Sequence, residues 1–371
     1  MLNFSKYQGL GNDFLILDGR SHALPSSVLS ADPNWVRQLC DRRFGVGADG
    51  LILALPASGD ADLRMRILNA DGTEAEMCGN GIRCLARFLA DSDGSSSGTV
   101  WSIETLAGLI KPQLQSDGQL CVDMGAPFLE PDAVPTRLER GPAGCPQGMV
   151  VLDDAELDVA AVGMGNPHVV VPVNDLASIP FDAWGAALEV HPAFPAKTNV
   201  HFLQVHSRER LEIRVWERGA GPTLACGTGA CATLVAASLL GLAEDRAEVM
   251  LPGGPLQISW SDQTGSVLMT GPAQAVFDGV LSPDLMPSAT DPHAFEPRSV
   301  AEAELSSEQA QAFDCSSDCV DGCQQPDNCL RDEAQQKVMA FLENTSLDSM
   351  LNLASESLEQ RTKARFERGT P

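Results

Sequence analysis

Two cysteines stand at the mouths of matched glycine-rich turns, Glu76-Met77-Cys78-Gly79-Asn80-Gly81 and Leu224-Ala225-Cys226-Gly227-Thr228-Gly229. Each turn runs into an apolar stretch with helical spacing, Ile82, Leu85, Ala86 and Leu89 in the first case and Ala232, Leu234, Val235 and Leu239 in the second. Each thiol is therefore expected at a helix N-terminus. There the positive end of the helix dipole favours a thiolate, and such settings lower a thiol pKa from about 8.5 to roughly 3.5–7.5. The free N–H groups of the same turn can hold a carboxylate. Two such thiols facing one α-carbon from opposite sides would invert it, one removing a proton as the other returns one. The N–H groups would carry the charge that builds on the carboxylate. That chemistry is a two-base racemase or epimerase, and it requires no metal, pyridoxal lysine or other cofactor.

The elements that must position the thiols also recur. Leu63-Arg64-Met65-Arg66-Ile67 alternates apolar and polar residues as a strand does, and Asp71-Gly72 is a hairpin turn that leads back to Cys78. Leu211-Glu212-Ile213-Arg214-Val215 shows the same period of two before the loop to Cys226. Strand, glycine loop, cysteine and helix in the same order predict an internal repeat with the thiols meeting at a cleft. The expected division is an N-terminal half over residues 1–130 and a C-terminal half over 131–281, parted in the proline-rich stretch from Pro127 to Pro146. A proline-rich linker over 282–298 and an acidic helical extension over 299–371 complete the plan. In that extension Cys315, Cys319 and Cys323 fall at i, i+4 and i+8 on one face of a helix, and with Cys329 they make a candidate zinc or iron–sulfur ligand set, a pair of disulfides or packing thiols.

Composition narrows the partners. With 25 Lys and Arg against 50 Asp and Glu, the net charge of −25 repels phosphate backbones and argues against nucleic acid. No apolar run reaches the roughly 20 residues of a membrane span. The absence of a secretory leader pattern at Met1 and the reduced character of the thiols place the protein in the cytoplasm. Cys84 and Cys231 fall on helical positions suited to core packing. Cys40, Cys121 and Cys145 are expected to be structural, while His191, His201 and His206 have no assigned role.

Six segments in order, Gly9-Leu10-Gly11-Asn12-Asp13-Phe14, Asn69-Ala70-Asp71-Gly72, the Cys78 turn, Gly165-Asn166-Pro167-His168, Glu217-Arg218-Gly219 and the Cys226 turn, resemble the diaminopimelate epimerase family. The likeness spans Met1 to about Asp278, and the segment around Arg43 to Gly50 is similar to the cyanobacterial and plant branch. It implies an α/β (α+β) fold of two pseudo-symmetric domains, each a curled, mainly antiparallel sheet around a central helix, with the extension as a small helical module. It also implies interconversion of LL- and meso-2,6-diaminoheptanedioate for lysine and peptidoglycan precursors, in a homodimer. On this resemblance Cys78 and Cys226 are the acid and base. Asn12, Asn69, Asn166, Asn199, Glu217 and Arg218 hold substrate, Gly79, Asn80, Gly227 and Thr228 bind its reacting end, and His168 and Glu217 support proton transfer. Some family members carry a substrate-contacting Gln at the position of Gly50, so that contact is not transferred. The nearest rival is a proline or hydroxyproline racemase, which would leave the asparagines and Arg218 without purpose. A redox or metal-responsive regulator is the rival of another class.

Overall fold

The computed structural model describes residues 2–261 and 263–287. The first half runs β1 (Asn3–Gly9), β2 (Asn12–Asp18), α1 (Ser26–Leu29), α2 (Pro33–Cys40), β3 (Gly50–Leu55), β4 (Leu63–Asn69), β5 (Glu74–Ala75), α3 (Gly79–Asp93), β6 (Ile103–Thr105), β7 (Gly108–Ile110), β8 (Gln113–Leu114) and β9 (Leu120–Asp123). The second runs β10 (Gln147–Val151), β11 (Glu156–Gly163), β12 (Pro167–Pro172), α4 (Phe181–Glu189), β13 (Asn199–Ser207), β14 (Arg210–Glu217), β15 (Gly221–Thr223), α5 (Gly227–Leu239), β16 (Arg246–Leu251), β17 (Gly254–Trp260), β18 (Val267–Gly271) and β19 (Gln274–Val280).

The repeat expected from the two cysteine turns is present in the strand pairing. In the first sheet β1 and β2 are antiparallel, β2 and β3 parallel, β3 and β4 antiparallel, β4 and β6 parallel, and β6 and β7 antiparallel. The second sheet repeats this series with β11, β12, β13, β14, β16 and β17. In both, a short strand paired to the fourth member delivers the chain to the central helix. The halves also exchange strands, β19 closing the first sheet beside β1 and β9 joining the second beside β18.

Period-two alternation divides each sheet between two cores. On β3, Ile52 and Ala54 face the central helices, while Leu51, Leu53 and Leu55 pack with Trp35, Val36 and Leu39 of α2. In the second sheet Val170 and Leu203 face inward, and Val169, Val171, Val200 and Phe202 pack toward Phe181 and Leu188 of α4. The inner core is continuous, because Leu85 and Leu89 of α3 join the same cluster as Leu234 and Val235 of α5. α5 is apolar on nearly every face, whereas α3 is buried from Gly79 to Ala90 apart from the half-buried Arg87 and ends in the polar Asp91, Ser92 and Asp93. α3 ends at Gly94, whose φ of 65° permits the left-handed cap that closes on the Ala90 carbonyl.

Trp35 Nε1 donates to the Leu285 carbonyl at 2.8 Å, so the start of the proline-rich stretch is seated on α2 in a 3-10 turn over Pro283–Leu285. The expected helical extension and its four cysteines lie outside the described residues.

Gly229 of α5 is a point of close approach, since a Cβ there would lie 2.1 Å from Cε1 of the buried His201 ring. Gly229→Ala is therefore expected to destabilise the fold by about 1–3 kcal/mol through overpacking, despite the better helix propensity of alanine. Thermal unfolding checks this, and an unchanged or raised midpoint would show that the ring yields freely.

Candidate active site

Cys78 is the residue that caps α3, and Cys226 occupies the same position on α5. Both line one cleft of about 1150 Å³, with residues from both sheets around it. Asn80 joins the helix ends, its Nδ2 donating to the Ala225 carbonyl at 3.4 Å and to Asn12 Oδ1 at 3.1 Å. A two-residue turn presents Asn12, with φ of 57° at Leu10 and 85° at Gly11. Both values suit a type I′ hairpin, and the first is uncommon for leucine.

The sites predicted from sequence are brought together with two exceptions, Asn199 and His168, which lie behind the cleft wall. Asn12, Asn69, Gly79, Asn80, Asn166, Glu217, Arg218, Gly227 and Thr228 all line the cleft with the two cysteines. Asn199 lies behind its wall, buried, with Nδ2 donating to the Pro167 carbonyl at 2.9 Å and Oδ1 accepting from the Arg218 N–H at 3.0 Å. Its amide therefore fixes the backbone at Arg218, whose guanidinium donates to the Ala196 carbonyl at 3.1 Å. Asn69 donates to Thr73 Oγ1 at 3.0 Å. At Gly50, a Cβ would meet the Leu68 carbonyl oxygen at 2.6 Å, so the start of β3 has no room for a larger residue without backbone movement.

The thiols depart from expectation in their acidity. Burial pushes both upward, Cys226 well above the ordinary value, and the N–H groups of the first helical turn offset this only in part. A helix terminus is worth about 0.3–2 kcal/mol, whereas full burial moves a pKa by up to 3–5 units at 1.36 kcal/mol each, so desolvation wins. The expected drop is thus corrected: burial raises both thiols above the ordinary value.

Glu217 is the charge nearest this balance. Burial raises its own pKa, while hydrogen bonds from Thr223 and Cys226 pull it down. Thr223 Oγ1 donates to Glu217 Oε1 at 2.6 Å. The carboxyl of Glu217 in turn raises the Cys226 thiol further, after burial. Cys226 Sγ also lies 3.6 Å from Thr228 Oγ1.

Behind Cys226 stand two imidazoles. His168 Nδ1 is 2.9 Å from His201 Nε2, and His168 Nε2 is 2.7 Å from Asn166 Oδ1. Burial pulls both pKa values down, that of His201 to about 3, so both rings are neutral. With Asn166 Oδ1 as acceptor, His168 carries its proton on Nε2 and accepts on Nδ1 from His201. That leaves the buried His201 Nδ1 without a partner. Ligand atoms of His168, His201 and Cys226 lie within 4.8 Å of one another, a grouping that could hold a metal ion, but the two imidazoles are already bound to each other through a proton.

Sequence reasoning missed His201, and it missed Arg42 and Asp49 at the cleft. His201 faces inward on β13 between Val200 and Phe202, which pack toward α4, and a lone histidine inside an apolar strand is the signal available. Arg42 bonds both Asp13 and Asp49, and Asp49 accepts from Asn12 Nδ2 at 2.8 Å, so this ion network sets the Asn12 amide.

The comparisons with known proteins agree with this geometry. The family model for diaminopimelate epimerase matches residues 4–129 and 160–276. The diaminopimelate epimerase of Prochlorococcus marinus (strain MIT 9313) is 67% identical over 288 residues, covering 78% of this chain and 95% of that protein. That of Acaryochloris marina (strain MBIC 11017) is 51% identical over 281 residues, covering 75% and 98%. Among solved structures, a probable proline racemase from Agrobacterium radiobacter K84 superposes with a TM-score of 0.56 at 17% identity, covering 81% of this chain and 98% of that one. A hydroxyproline epimerase from Agrobacterium vitis gives 0.54 at 18%, covering 75% and 90%. At these identities the structures show a shared fold, that of a duplicated sheet-and-central-helix protein. Within that class, the chain belongs to the diaminopimelate epimerase family.

Because the thiolate is the nucleophile, alkylation of Cys78 and Cys226 in the ligand-free protein is expected to be slow at pH 7 and to accelerate through the alkaline range, Cys226 at the higher pH. Site-resolved mass spectrometry after iodoacetamide treatment measures this. Fast modification at pH 6 would mean that the helix dipole outweighs burial.

Proposed function

We propose that the protein is a cofactor-independent isomerase that epimerises LL-2,6-diaminoheptanedioate to the meso form, a step toward lysine and peptidoglycan precursors. The observation that carries this reading is the pair of cysteine-capped helix ends opening on one cleft lined by asparagines, Glu217 and Arg218. In this scheme one thiolate takes the α-proton and becomes a thiol. The thiol on the other face delivers its proton to the carbanion and becomes a thiolate, so charge is conserved through the turnover. The N–H groups at Gly79, Asn80, Gly227 and Thr228 hold the reacting carboxylate where charge develops. The substrate's α-ammonium brings a positive charge that favours the thiolate that burial disfavours. Asn12, Asn69, Asn166 and Arg218 take the distal amino-acid end, Arg218 being suited to bidentate pairing with a carboxylate. Asn199 acts through the Arg218 backbone, and His168 and Glu217 tune proton transfer around Cys226. A homodimer in the cytoplasm completes the proposal. Among the described residues no helix is long and apolar enough to cross a membrane.

Incubation with LL-diaminopimelate in D2O, without added cofactor, is expected to yield the meso isomer carrying solvent deuterium at the α-carbon. Cys78→Ala should lose turnover by on the order of 10³-fold or more. Turnover of proline with no turnover of diaminopimelate would transfer the assignment to the proline-type racemases.

A further inference from the structure

Arg83 is fully buried in α3, just beyond the turn that Cys78 caps. Its Nη1 donates to the Gly79 carbonyl at 3.1 Å and lies 3.4 Å from Met269 Sδ, its Nη2 donates to Asn80 Oδ1 at 2.7 Å, and its Nε donates to the Pro272 carbonyl at 3.4 Å. The polar partners of this cation are thus neutral. Among the described residues it forms no ion pair with a carboxylate, and the ionisable groups that act on it are the thiols of Cys84, Cys78 and Cys231. Gly9 and Gly271 lie beside the guanidinium, a Cβ at either falling at ordinary contact distance, 3.4 Å from Nη2 and 3.5 Å from Nε.

A guanidinium stays charged in a protein, and burying it without an anion is costly. The anions of this site appear during the reaction, as the thiolate at Cys78 and the carboxylate held in the same first turn. Arg83 also sets the direction of Asn80. Because a guanidinium only donates, the amide oxygen of Asn80 must face it, and the NH2 group must face Asn12 and the Ala225 carbonyl beside Cys226. Among the described residues, Glu217 on β14 also acts on Cys78, and it opposes ionisation.

We propose that Arg83 is a positioning residue for the epimerisation, tying the two cysteine-bearing helix ends together through Asn80 and facing, as a buried cation without a carboxylate, the negative charge created at Cys78. This rests on the assignment of the cleft as the epimerase site, but its test does not require turnover.

The test compares Arg83→Met and Arg83→Lys with wild type in the full-length chain, after circular dichroism and thermal melts have established folding. In Arg83→Met the pH midpoint of Cys78 alkylation should rise by about one unit or more, with Cys226 moving much less. Its kcat should fall about 100-fold with KM changed less than about threefold. Arg83→Lys should return the Cys78 midpoint toward wild type without full kcat, since it keeps the charge and loses the fork. A folded Arg83→Met protein with an unmoved Cys78 midpoint overturns the proposal. Should Arg83→Met fail to fold, Arg83→Gln is the neutral variant to compare, and a folded Arg83→Gln protein with an unmoved Cys78 midpoint overturns the proposal equally. If wild type leaves diaminopimelate unchanged while Cys78 alkylation still depends on Arg83, it is the substrate assignment that fails.

Discussion

Two helix N-termini are held against each other inside one apolar core, and the site depends on that contact. The positive ends of two helix dipoles repel, so the arrangement needs support from the packing around it. Sheets cover α3 and α5 on almost every side, and the two helices share a continuous core through Leu85, Leu89, Leu234 and Val235. Asn80 completes the join by reaching across to the Ala225 carbonyl. The result is a pocket of N–H donors with a buried arginine behind it.

Placing thiols in that pocket sets dipole against desolvation, and desolvation prevails. Both thiols are therefore less acidic than an ordinary cysteine. This has a chemical advantage for a two-thiol site, because a standing thiolate is also the form most open to alkylation and oxidation. Glu217 strengthens the effect at Cys226, and Arg83 opposes it at Cys78. The two halves are alike in topology and unlike in electrostatics.

The same divergence is visible in the strands behind the helices. The inward face of β2 and β3 is apolar, with Phe14, Ile16 and Ile52, whereas β12 and β13 carry His168 and His201 there. Strand exchange then binds the unequal halves together, since β19 completes the first sheet and β9 extends the second. Such pairing constrains how far the halves can separate while leaving the cleft open at the helix ends.

Local chemistry made the cysteine turns, the Asp71-Gly72 hairpin, the period-two strands and the apolar central helices legible in the sequence, because each depends on neighbours within a few residues. The order of the motifs carried the family and most cleft residues, from Asn12 through Thr228. Other features depend on residues far apart in the chain. Cys78 and Cys226 are 148 positions apart (226 − 78) and meet only through packing. Asn199 turned out to brace Arg218 instead of lining the cleft, because the direction of a side chain at a strand's first residue is set by the neighbouring strand. His201 drew its partner from β12 and its fit from Gly229. Thiol acidity was misjudged for the same reason: a helix terminus can be inferred from local sequence, whereas desolvation is the summed effect of everything that folds over it. The sequence by itself determined the two cysteine turns and the family they belong to, and only the tertiary structure decided how deeply the thiols are buried and therefore in which direction their acidity moves.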